Sequence, residues 1–308
     1  MGIRPVADFE TLNYQIMTNL NTSTEATITD ETAIGFIPCY RLPFLSQKDV
    51  EIWNESNLET MKNMPDNYID LTVTSPPYDN LRDYKGYSFP FEEIANELFR
   101  VTKQGGVVVW VVGDSVVDGS ETLTSFKQAL YFKEIGFNIH DTMIYQKDVM
   151  PFPEQTRYNQ CFEYMFVLSK GKPNTFNAIK EKTQGYKPSK SSTTRNANGE
   201  TTGLKYEQGK DERSLFNIWQ FGCGYNKTTN DEIAFKHPAM FPQKLAVKHI
   251  LRWSNEGDLV YDCFGGAGTT VKMAHKWKRK SIMSEISLEY CQIAKKRIEP
   301  YLMQECLF

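Results

Sequence analysis

Residues Leu259–Thr270 read Leu-Val-Tyr-Asp-Cys-Phe-Gly-Gly-Ala-Gly-Thr-Thr, and this stretch decides the fold that the sequence predicts. Its apolar start predicts a short buried strand, its glycines predict a tight loop, and a helical pattern follows. A glycine-rich loop between a strand and a helix lets the backbone approach a ligand closely, because glycine carries no side chain. We therefore predict a nucleotide-type cofactor site at the carboxyl end of this strand.

The same rhythm of strand and helix extends from Glu51 to the end of the chain. The predicted strands are Ile69–Thr74, Val107–Val112, Ile139–Tyr145, Phe162–Leu168, Leu259–Tyr261 and Ser281–Ser284. The predicted helices are Leu58–Met64, about 91–102, about 122–135, a helix ending near Trp253, one after the glycine loop, and Leu288–Ile298. The β-branched run Val107–Val112 is typical of a central strand buried on both faces. Alternating strands and helices predict an α/β fold with a doubly wound, mostly parallel sheet.

The glycine loop differs from two well-known phosphate-binding loops. Gly266 and Gly268 match the first two glycines of a dinucleotide fingerprint, but Val271 stands where the third would be. No Gly-Lys-Ser/Thr follows, which excludes a P-loop. The loop has no basic residue to pair with a pyrophosphate, so S-adenosylmethionine is favoured over NADP. Glu285 ends the next strand, where an acid typically binds ribose hydroxyls, and Asp262 would lie near the amino-acid end of the cofactor.

A second polar run, Thr74–Tyr78 (Thr-Ser-Pro-Pro-Tyr), follows the strand Ile69–Thr74. The exocyclic amine of a base is a poor nucleophile, because its lone pair is delocalised into the ring. Two acceptors that hold both amine hydrogens would favour attack on a methyl sulfonium, and the Ser75 hydroxyl and the Pro76 carbonyl can supply them. Pro76 and Pro77 fix the backbone, and Tyr78 offers a ring on which an extruded base can stack.

Asp114 follows the valine-rich strand and would lie on the same edge of the sheet as Ser75. It fits a general base that accepts the proton leaving the amine, and it fits equally a helix or turn cap. The sequence leaves both roles open.

Composition limits the class of protein more than it identifies it. The chain has 308 residues, a net charge of −3 and six cysteines without a C-x-x-C pair. No apolar run reaches the roughly 20 residues of a membrane span and no signal-peptide pattern opens the chain. Free thiols fit a reducing compartment, so we predict a cytoplasmic protein without membrane contact. His140, His249 and His275 lack ligand-like partners, so we predict no metal.

One segment is strongly basic despite the negative overall charge. Between Lys170 and Arg213 there are ten Lys or Arg residues and five acidic ones, in a background rich in Ser, Thr, Asn and Gly. A solvated loop and a phosphate-tracking DNA contact both fit this composition. Phe216, Trp219 and Phe221 follow, and they fit either base stacking or a small satellite core.

These motifs together resemble those of the β-class DNA amino-methyltransferases, over about residues 51 to 298. The resemblance rests on the lead-in Leu58–Asn67, the run Thr74–Tyr78, the segment His237–Pro242 (His-Pro-Ala-Met-Phe-Pro) and the loop Asp262–Thr270. In that family the catalytic motif comes first, a basic target-recognition region follows, and the cofactor motif comes last. The resemblance implies that His237 packs near the methionine end of the cofactor and that Glu285 binds its ribose.

The resemblance also implies an architecture. It is a circularly permuted, seven-stranded sheet of the S-adenosylmethionine-dependent (Rossmann-like) methyltransferase type, with a target-recognition insertion. The corresponding parts are an N-terminal extension (1–50), a catalytic half (51–170), a basic insertion (171–235) and a cofactor-binding half (236–300). Two departures from the family pattern are Cys263, where proline is usual, and Glu55-Ser56, where Gly-Asp is usual.

The run Thr74–Tyr78 contains the tetrapeptide Ser75–Tyr78. In that family a serine at the first position of this tetrapeptide is usual for N4-methylcytosine, and aspartate for N6-methyladenine. Ser75 therefore favours methylation of cytosine N4 in duplex DNA, with adenine N6 as the alternative. A catalytically inactive DNA-binding protein is the rival from another class, and RNA or a glutamine amide is a further possible target. The resemblance also implies a bacterial, archaeal or phage origin and a cognate restriction endonuclease as a possible partner. The sequence leaves monomer and homodimer open.

The predicted site residues fall into three groups. The catalytic set is Ser75, Pro76, Pro77, Tyr78 and Asp114. The cofactor-binding set is Asp262, Phe264, Gly265, Gly266, Gly268, Thr269, Glu285 and His237. The DNA-binding set is Lys182, Lys187, Lys190 and Arg195.

Overall fold

The structure, a computed structural model, describes residues 41–77, 89–148, 156–182, 193–203, 212–224, 227–237 and 239–304. Its strands are β1 (Leu45–Gln47), β2 (Val50–Trp53), β3 (Ile69–Thr74), β4 (Thr102–Val112), β5 (Val116–Val117), β6 (Ser120–Glu121), β7 (Asn138–Lys147), β8 (Phe162–Ser169), β9 (Lys180–Lys182), β10 (Thr193–Arg195), β11 (Thr201–Gly203), β12 (Glu212–Ser214), β13 (Ile218–Phe221), β14 (Leu259–Asp262) and β15 (Lys280–Ser284). Its α-helices are α1 (Asn57–Lys62), α2 (Phe91–Val101), α3 (Thr124–Glu134), α4 (Gln243–Trp253), α5 (Thr269–Lys276) and α6 (Leu288–Gln304), with a 3-10 helix at Glu232–Lys236. Every predicted strand and helix is present, so the prediction of an α/β fold is confirmed.

The main sheet, in the described part of the chain, has the order β1-β2-β15-β14-β3-β4-β8-β7-β13. The pairs from β2 to β4 are parallel, as is β7 with β13, whereas β8 runs antiparallel to both of its neighbours and β1 runs antiparallel to β2. The sheet is therefore mostly parallel, as predicted. It has two strands more than the predicted seven, and short strands lie at both of its edges.

The central strand β4 explains why helices cover both faces of this sheet. All six residues of Val107–Val112 are at most 1% exposed. Alternate side chains point to opposite faces of a strand. Val108 and Trp110 therefore pack in one core with α2 and α3, whereas Val107 and Val109 pack in the other with α4. A strand buried on both faces must be apolar throughout, which is what the run of valines indicates.

The structure shows which elements lie in the predicted extension and in the predicted insertion, and the division into domains stays a prediction. β1 begins at Leu45, inside the predicted extension 1–50, and residues 1–40 lie outside the described ranges. In the basic insertion, β9 pairs with β12 and β10 with β11, but β13 joins the main sheet beside β7. The predicted circular permutation rests on the order of the motifs and stays a prediction. Within the described ranges, no helix combines the length and the apolar character that crossing a membrane requires.

Candidate functional site

A cavity of about 530 Å³ lies along the edge of the sheet at the carboxyl ends of its parallel strands. Residues from both predicted motifs line it, among them Ser75, Pro76 and Pro77 after β3 and Asp262 at the end of β14. β3 and β14 are neighbours in the sheet although more than 180 residues separate them in sequence. Pairing of these two strands brings Ser75–Pro77, the serine-proline run, and the glycine loop to one site.

A hydrogen bond joins the two motifs directly. Thr74, the last residue of β3, donates from Oγ1 to Asp262 Oδ1 over 2.7 Å, and both side chains are buried. Thr270 in α5 donates from its hydroxyl to the carbonyl of Val73, 3.1 Å away. These two contacts hold the start of the Ser75–Pro77 segment in a defined position relative to the loop. Tyr78, which we predict as the stacking ring, lies outside the described residues.

Asp262 is a buried carboxyl group at the floor of the cavity, 2% exposed. Burial raises its pKa to about 6, and the bonds from Thr74 and from the Phe264 backbone N–H limit that rise. A buried carboxylate is costly without a compensating positive charge. The position is therefore suited to a cationic group of a ligand.

The glycine loop needs its glycines for two different reasons. Gly266 has φ +48°, and a Cβ there would come within 2.8 Å of the His237 ring, so His237 lies directly against the loop. Gly268 has φ +71°, and a Cβ there would come within 2.7 Å of the Ala294 methyl group in α6. Gly268 does not line the cavity. Gly268 was predicted to bind the cofactor, but its position shows that it allows the loop to pack on α6.

The rest of the predicted cofactor set lies in the cavity wall. This set is Asp262, Phe264, Gly265, Gly266, Thr269, Glu285 and His237. Glu285 accepts hydrogen bonds from the Gly266 N–H, at 2.9 Å, and from the Ser287 N–H, at 2.8 Å. Burial raises the pKa of its carboxyl group. Because a carboxylate has about four acceptor positions, Glu285 retains capacity for ligand hydroxyls.

Two cavity residues near the start of α1 were missing from the predicted site. Glu55 lines the cavity and accepts from the Thr60 hydroxyl, 2.7 Å away. Asn57 is 4% exposed and donates from Nδ2 to the Cys263 carbonyl, whereas its Oδ1 has no hydrogen-bond partner among the described residues. The departure Glu55-Ser56 from the family pattern was the available signal, but the sequence alone did not show that this turn faces the glycine loop.

The cavity continues beyond Ser75 to the ends of β7, β8 and β13, a wall that the sequence did not predict. Tyr145 and Lys147 come from β7, Glu163 from β8, and Cys223 follows β13. Tyr145 Oη and Cys223 Sγ are 2.7 Å apart, and burial followed by this contact raises the pKa of the Tyr145 hydroxyl. Lys147 Nζ lies 2.6 Å from Glu163 Oε1.

The structure gives Asp114 a local role. Its Oδ1 accepts from the Ser125 backbone N–H, at 2.8 Å, and its Oδ2 accepts from the Ser125 hydroxyl, at 2.6 Å. Ser125 lies in the first turn of α3, where backbone N–H groups need acceptors. Asp114 is 8% exposed and does not line the cavity. These contacts favour the cap over the general base.

Part of the predicted DNA-binding set lies outside the described residues, namely Lys187 and Lys190. Arg195 belongs to β10, and Lys182 is exposed at the end of β9. In the β9–β12 ribbon, Lys180 pairs with Glu212 and Arg213 with Glu181, so two of the ten basic charges of the segment are already partly balanced. DNA contact by this segment stays a prediction.

The three aromatic residues that follow the basic segment separate into two roles. Trp219 and Phe221 are 3% and 6% exposed and belong to the main core beneath α4, not to a satellite core. Phe216 is 63% exposed, and the Arg213 guanidinium lies 4.4 Å from its ring centroid. Of these three rings only that of Phe216 is exposed, and base stacking by it stays a prediction. Among the described residues, no three His, Cys, Asp or Glu side chains are close enough to hold a metal ion.

Sequence comparisons show that this chain is similar to DNA methylases. A family model described as N6/N4-type DNA methylase matches residues 69–296. The chain is 56% identical over 246 residues to the orphan methyltransferase M.BamHII of Bacillus amyloliquefaciens, covering 79% of this chain and 93% of that protein. It is 27% identical over 266 residues to the type II methyltransferase M.BglII of Bacillus subtilis, covering 79% of this chain and 67% of the relative.

Solved structures share the fold. The PvuII DNA methyltransferase, which is cytosine-N4-specific, superposes with a TM-score of 0.61 at 19% identity, over 85% of this chain and 93% of that one. A DNA modification methylase of Thermus thermophilus gives a TM-score of 0.55 at 25% identity, over 81% of this chain and 94% of that one. The type of fold predicted from the motifs is therefore confirmed.

Proposed function

The chain belongs to the N6/N4 DNA methylase family, and from this premise we propose that it methylates the exocyclic N4 of a cytosine flipped out of duplex DNA. The observation that carries the proposal is the Thr74–Asp262 hydrogen bond, which holds the serine-proline run and the cofactor loop at one cavity. The donor in this proposal is S-adenosylmethionine.

The charge of the cavity supports that donor. Glu55, Asp262 and Glu285 line the part formed by α1, β14 and β15, and the described residues of that part include no lysine or arginine. A dinucleotide carries at least the two negative charges of its pyrophosphate and would be repelled there, whereas S-adenosylmethionine carries a sulfonium and an ammonium group against one carboxylate and is cationic overall. The unpartnered Asn57 Oδ1 offers an acceptor to a donor on the ligand. The residues present therefore fit this cofactor, and the complex of a T. thermophilus DNA modification methylase with S-adenosyl-L-methionine has the same fold, with a TM-score of 0.55.

When bound, S-adenosylmethionine supplies an electrophilic methyl group on its sulfonium. In the proposed mechanism the Ser75 hydroxyl and the Pro76 carbonyl would accept hydrogen bonds from the two N–H groups of the target amine, and the proton that the methylated nitrogen must lose would pass to water. These hydrogen bonds withdraw the lone pair of the amine from the ring and favour a tetrahedral nitrogen in the transition state. Pro76 is buried and Pro77 half-buried, so both acceptors are held by a rigid backbone before the base arrives.

Cytosine is proposed over adenine because Ser75 opens the tetrapeptide, and because the cytosine-N4-specific PvuII enzyme shares the fold. Double-stranded DNA is the proposed substrate. M.BglII is named a type II methyltransferase, whereas the more similar M.BamHII is named an orphan methyltransferase, so a cognate restriction endonuclease stays a prediction of the sequence analysis.

The proposal is tested by product analysis. Purified protein is incubated with unmethylated plasmid DNA and methyl-deuterated S-adenosylmethionine, and the digested nucleosides are analysed by mass spectrometry. Deuterated N4-methylcytosine is expected. Label in N6-methyladenine would overturn the choice of base, and absence of label in any nucleoside would overturn methylation of DNA.

A further inference from the structure

The cavity wall farthest from the glycine loop is formed by strands that lie beyond the serine-proline segment. From β14 the sheet continues through β3 and β4 to β8, β7 and β13. Because β8 runs antiparallel to β4 and β7, Glu163 near its start lies at the same edge of the sheet as Lys147 at the end of β7. Asp262 and Lys147 therefore lie on opposite sides of Ser75 along this edge.

Lys147 carries the positive charge in this wall. Among the described residues that line the cavity it is the only lysine or arginine, and its ammonium nitrogen is 2.6 Å from Glu163 Oε1. The Glu163 side chain is 14% exposed and that of Lys147 is 34% exposed, so the pair is partly shielded from water. An ammonium group has three N–H donors, and the contact with Glu163 uses one of them. The glutamate thus orients a donor that can still serve a ligand.

We propose that Lys147 determines the choice of base by donating a hydrogen bond to the 2-oxygen of the flipped cytosine, and that Glu163 positions its ammonium group. This inference rests on the proposed function. The edge of cytosine that begins with the 4-amino group continues with N3 and ends with the 2-oxygen. The corresponding edge of adenine begins with the 6-amino group, continues with N1 and ends with a C–H.

If the amine of a base is held at Ser75 and Pro76, the rest of the hydrogen-bonding edge of that base would extend into the remaining part of the cavity. Cytosine would offer an acceptor to Lys147, and adenine would offer a C–H group and leave the donor unpaired in a partly shielded site. A site built around a hydrogen bond strongly rejects an analogue that lacks the partner, because a desolvated polar group is left unsatisfied. The Lys147–Glu163 pair therefore gives a physical reason for selecting cytosine in addition to the identity of residue 75.

The test combines a change in the enzyme with a change in the substrate. The methylated site is first identified in plasmid DNA modified by the wild-type protein. Short duplexes are then made with cytosine or 2-thiocytosine at the target position, and single-turnover methylation rates are measured. Sulfur is a weak acceptor, so the wild type should be roughly 10- to 100-fold slower on the 2-thio duplex. Lys147→Met should be slow on cytosine and react with both duplexes at similar rates.

Lys227→Met is the matched control. Lys227 pairs with Asp148, just after β7, at 3.0 Å, and does not line the cavity, so this variant should keep the wild-type preference for oxygen. Since Lys147→Met removes the ammonium group that pairs with Glu163, the double variant Lys147→Met/Glu163→Gln is measured as well. Thermal unfolding and S-adenosylmethionine binding confirm that each variant is folded.

The outcomes separate this inference from the proposed function. Loss of the preference for oxygen in both Lys147 variants would support the assignment. If Lys147→Met slows both duplexes equally and keeps the wild-type ratio, the lysine acts elsewhere, for example on a phosphate, and the assignment is wrong. If the wild type forms no N4-methylcytosine on any DNA, the proposed function fails, and the assignment fails with it.

Discussion

At the scale of single residues, the site depends on polar groups held by a few short contacts. Ser75 and Asp262 perform different tasks in the proposal, and Thr74 links them because it precedes one and donates to the other. Because Thr74 and not Ser75 makes the contact with Asp262, removing the Ser75 hydroxyl should affect the reaction without affecting the cofactor loop.

For Ser75→Ala we expect kcat to fall on the order of 10²-fold, because one of two acceptors for the target amine is lost. The dissociation constant of S-adenosylmethionine should change less than twofold, which calorimetric titration checks. Equal loss of turnover and of cofactor binding would contradict the assigned role.

The raised pKa of Asp262 predicts a pH dependence of cofactor binding. A cationic ligand favours the ionised carboxylate, so binding should release a proton near pH 6, and affinity should weaken by up to about tenfold for each pH unit below about 6. Titrations in buffers of different ionisation enthalpy measure the proton release. Asp262→Asn should bind weakly with a flat profile in this range. Asp66→Asn, at a carboxyl group that is 69% exposed, should keep the wild-type profile.

Buried His249 makes the stability of the folded protein depend on pH. Burial, followed by the nearby charges of Arg252 and Lys248, lowers its pKa to about 3 from 6.5. Between these values the unfolded chain binds the proton and the folded protein does not, so the stability from this residue is complete above pH 6.5 and is lost as the pH falls toward 3. We expect His249→Leu to reduce the slope of the unfolding free energy against pH by up to about 1.4 kcal/mol per unit in this window. Urea unfolding at a series of pH values checks this, and an unchanged slope would show that other groups dominate.

At the scale of elements, helix α6 holds the glycine loop in place. Arg297 donates from Nη1 to the Ala267 carbonyl and from Nε to Asp231 Oδ2, 3.0 Å away, and Lys272 of α5 donates to the same carboxylate oxygen. The side chains of Arg297 and Lys272 are at most 3% exposed. A carboxylate from the segment before the 3-10 helix thus joins two helices beneath the loop.

We expect Arg297→Met to weaken S-adenosylmethionine binding by roughly tenfold, or about 1.4 kcal/mol, because the loop loses a fixed contact. It should also lower the melting temperature, since Lys272 and Asp231 lose a buried partner. The control is Lys296→Met, on the exposed side of the same helix. Equal effects of the two variants would contradict a specific role of Arg297.

The basic segment belongs to the same scale. If Lys182, Lys187 and Lys190 contact phosphates, neutralising all three should reduce the slope of log K against log salt by up to about 3, since each phosphate contact contributes close to 1. Filter binding or fluorescence anisotropy over a range of salt gives the slope. The control is Lys103→Gln. Lys103 lies near the amino end of β4, where it pairs with Asp70, and its replacement should leave the slope unchanged. An unchanged slope in the triple variant would remove the segment from the interface.

At the scale of the whole molecule, the order of elements was predictable because each local pattern has a physical cause. The run Val107–Val112 can only be buried on both faces, and the glycines at 266 and 268 adopt left-handed φ values that other residues avoid. Local sequence patterns do not show which short strands join the two sides of the sheet. The short strands β1 and β13 add to the main sheet by backbone pairing, for which their side chains carry little signal.

The sequence by itself determined the fold class, the serine-proline run and the glycine loop with its acidic partner Glu285, because these depend on local sterics and on chemistry that needs particular side chains. Only the tertiary structure decided which separate segments share the cavity. It brought Thr74 to Asp262, turned Glu55 and Asn57 toward the loop, engaged Asp114 in the first turn of α3, and set Lys147 against Glu163 beyond Ser75. The physical reason is that contacts between residues distant in sequence follow from strand order in the sheet, which is set by the packing of the whole core and not by any one segment.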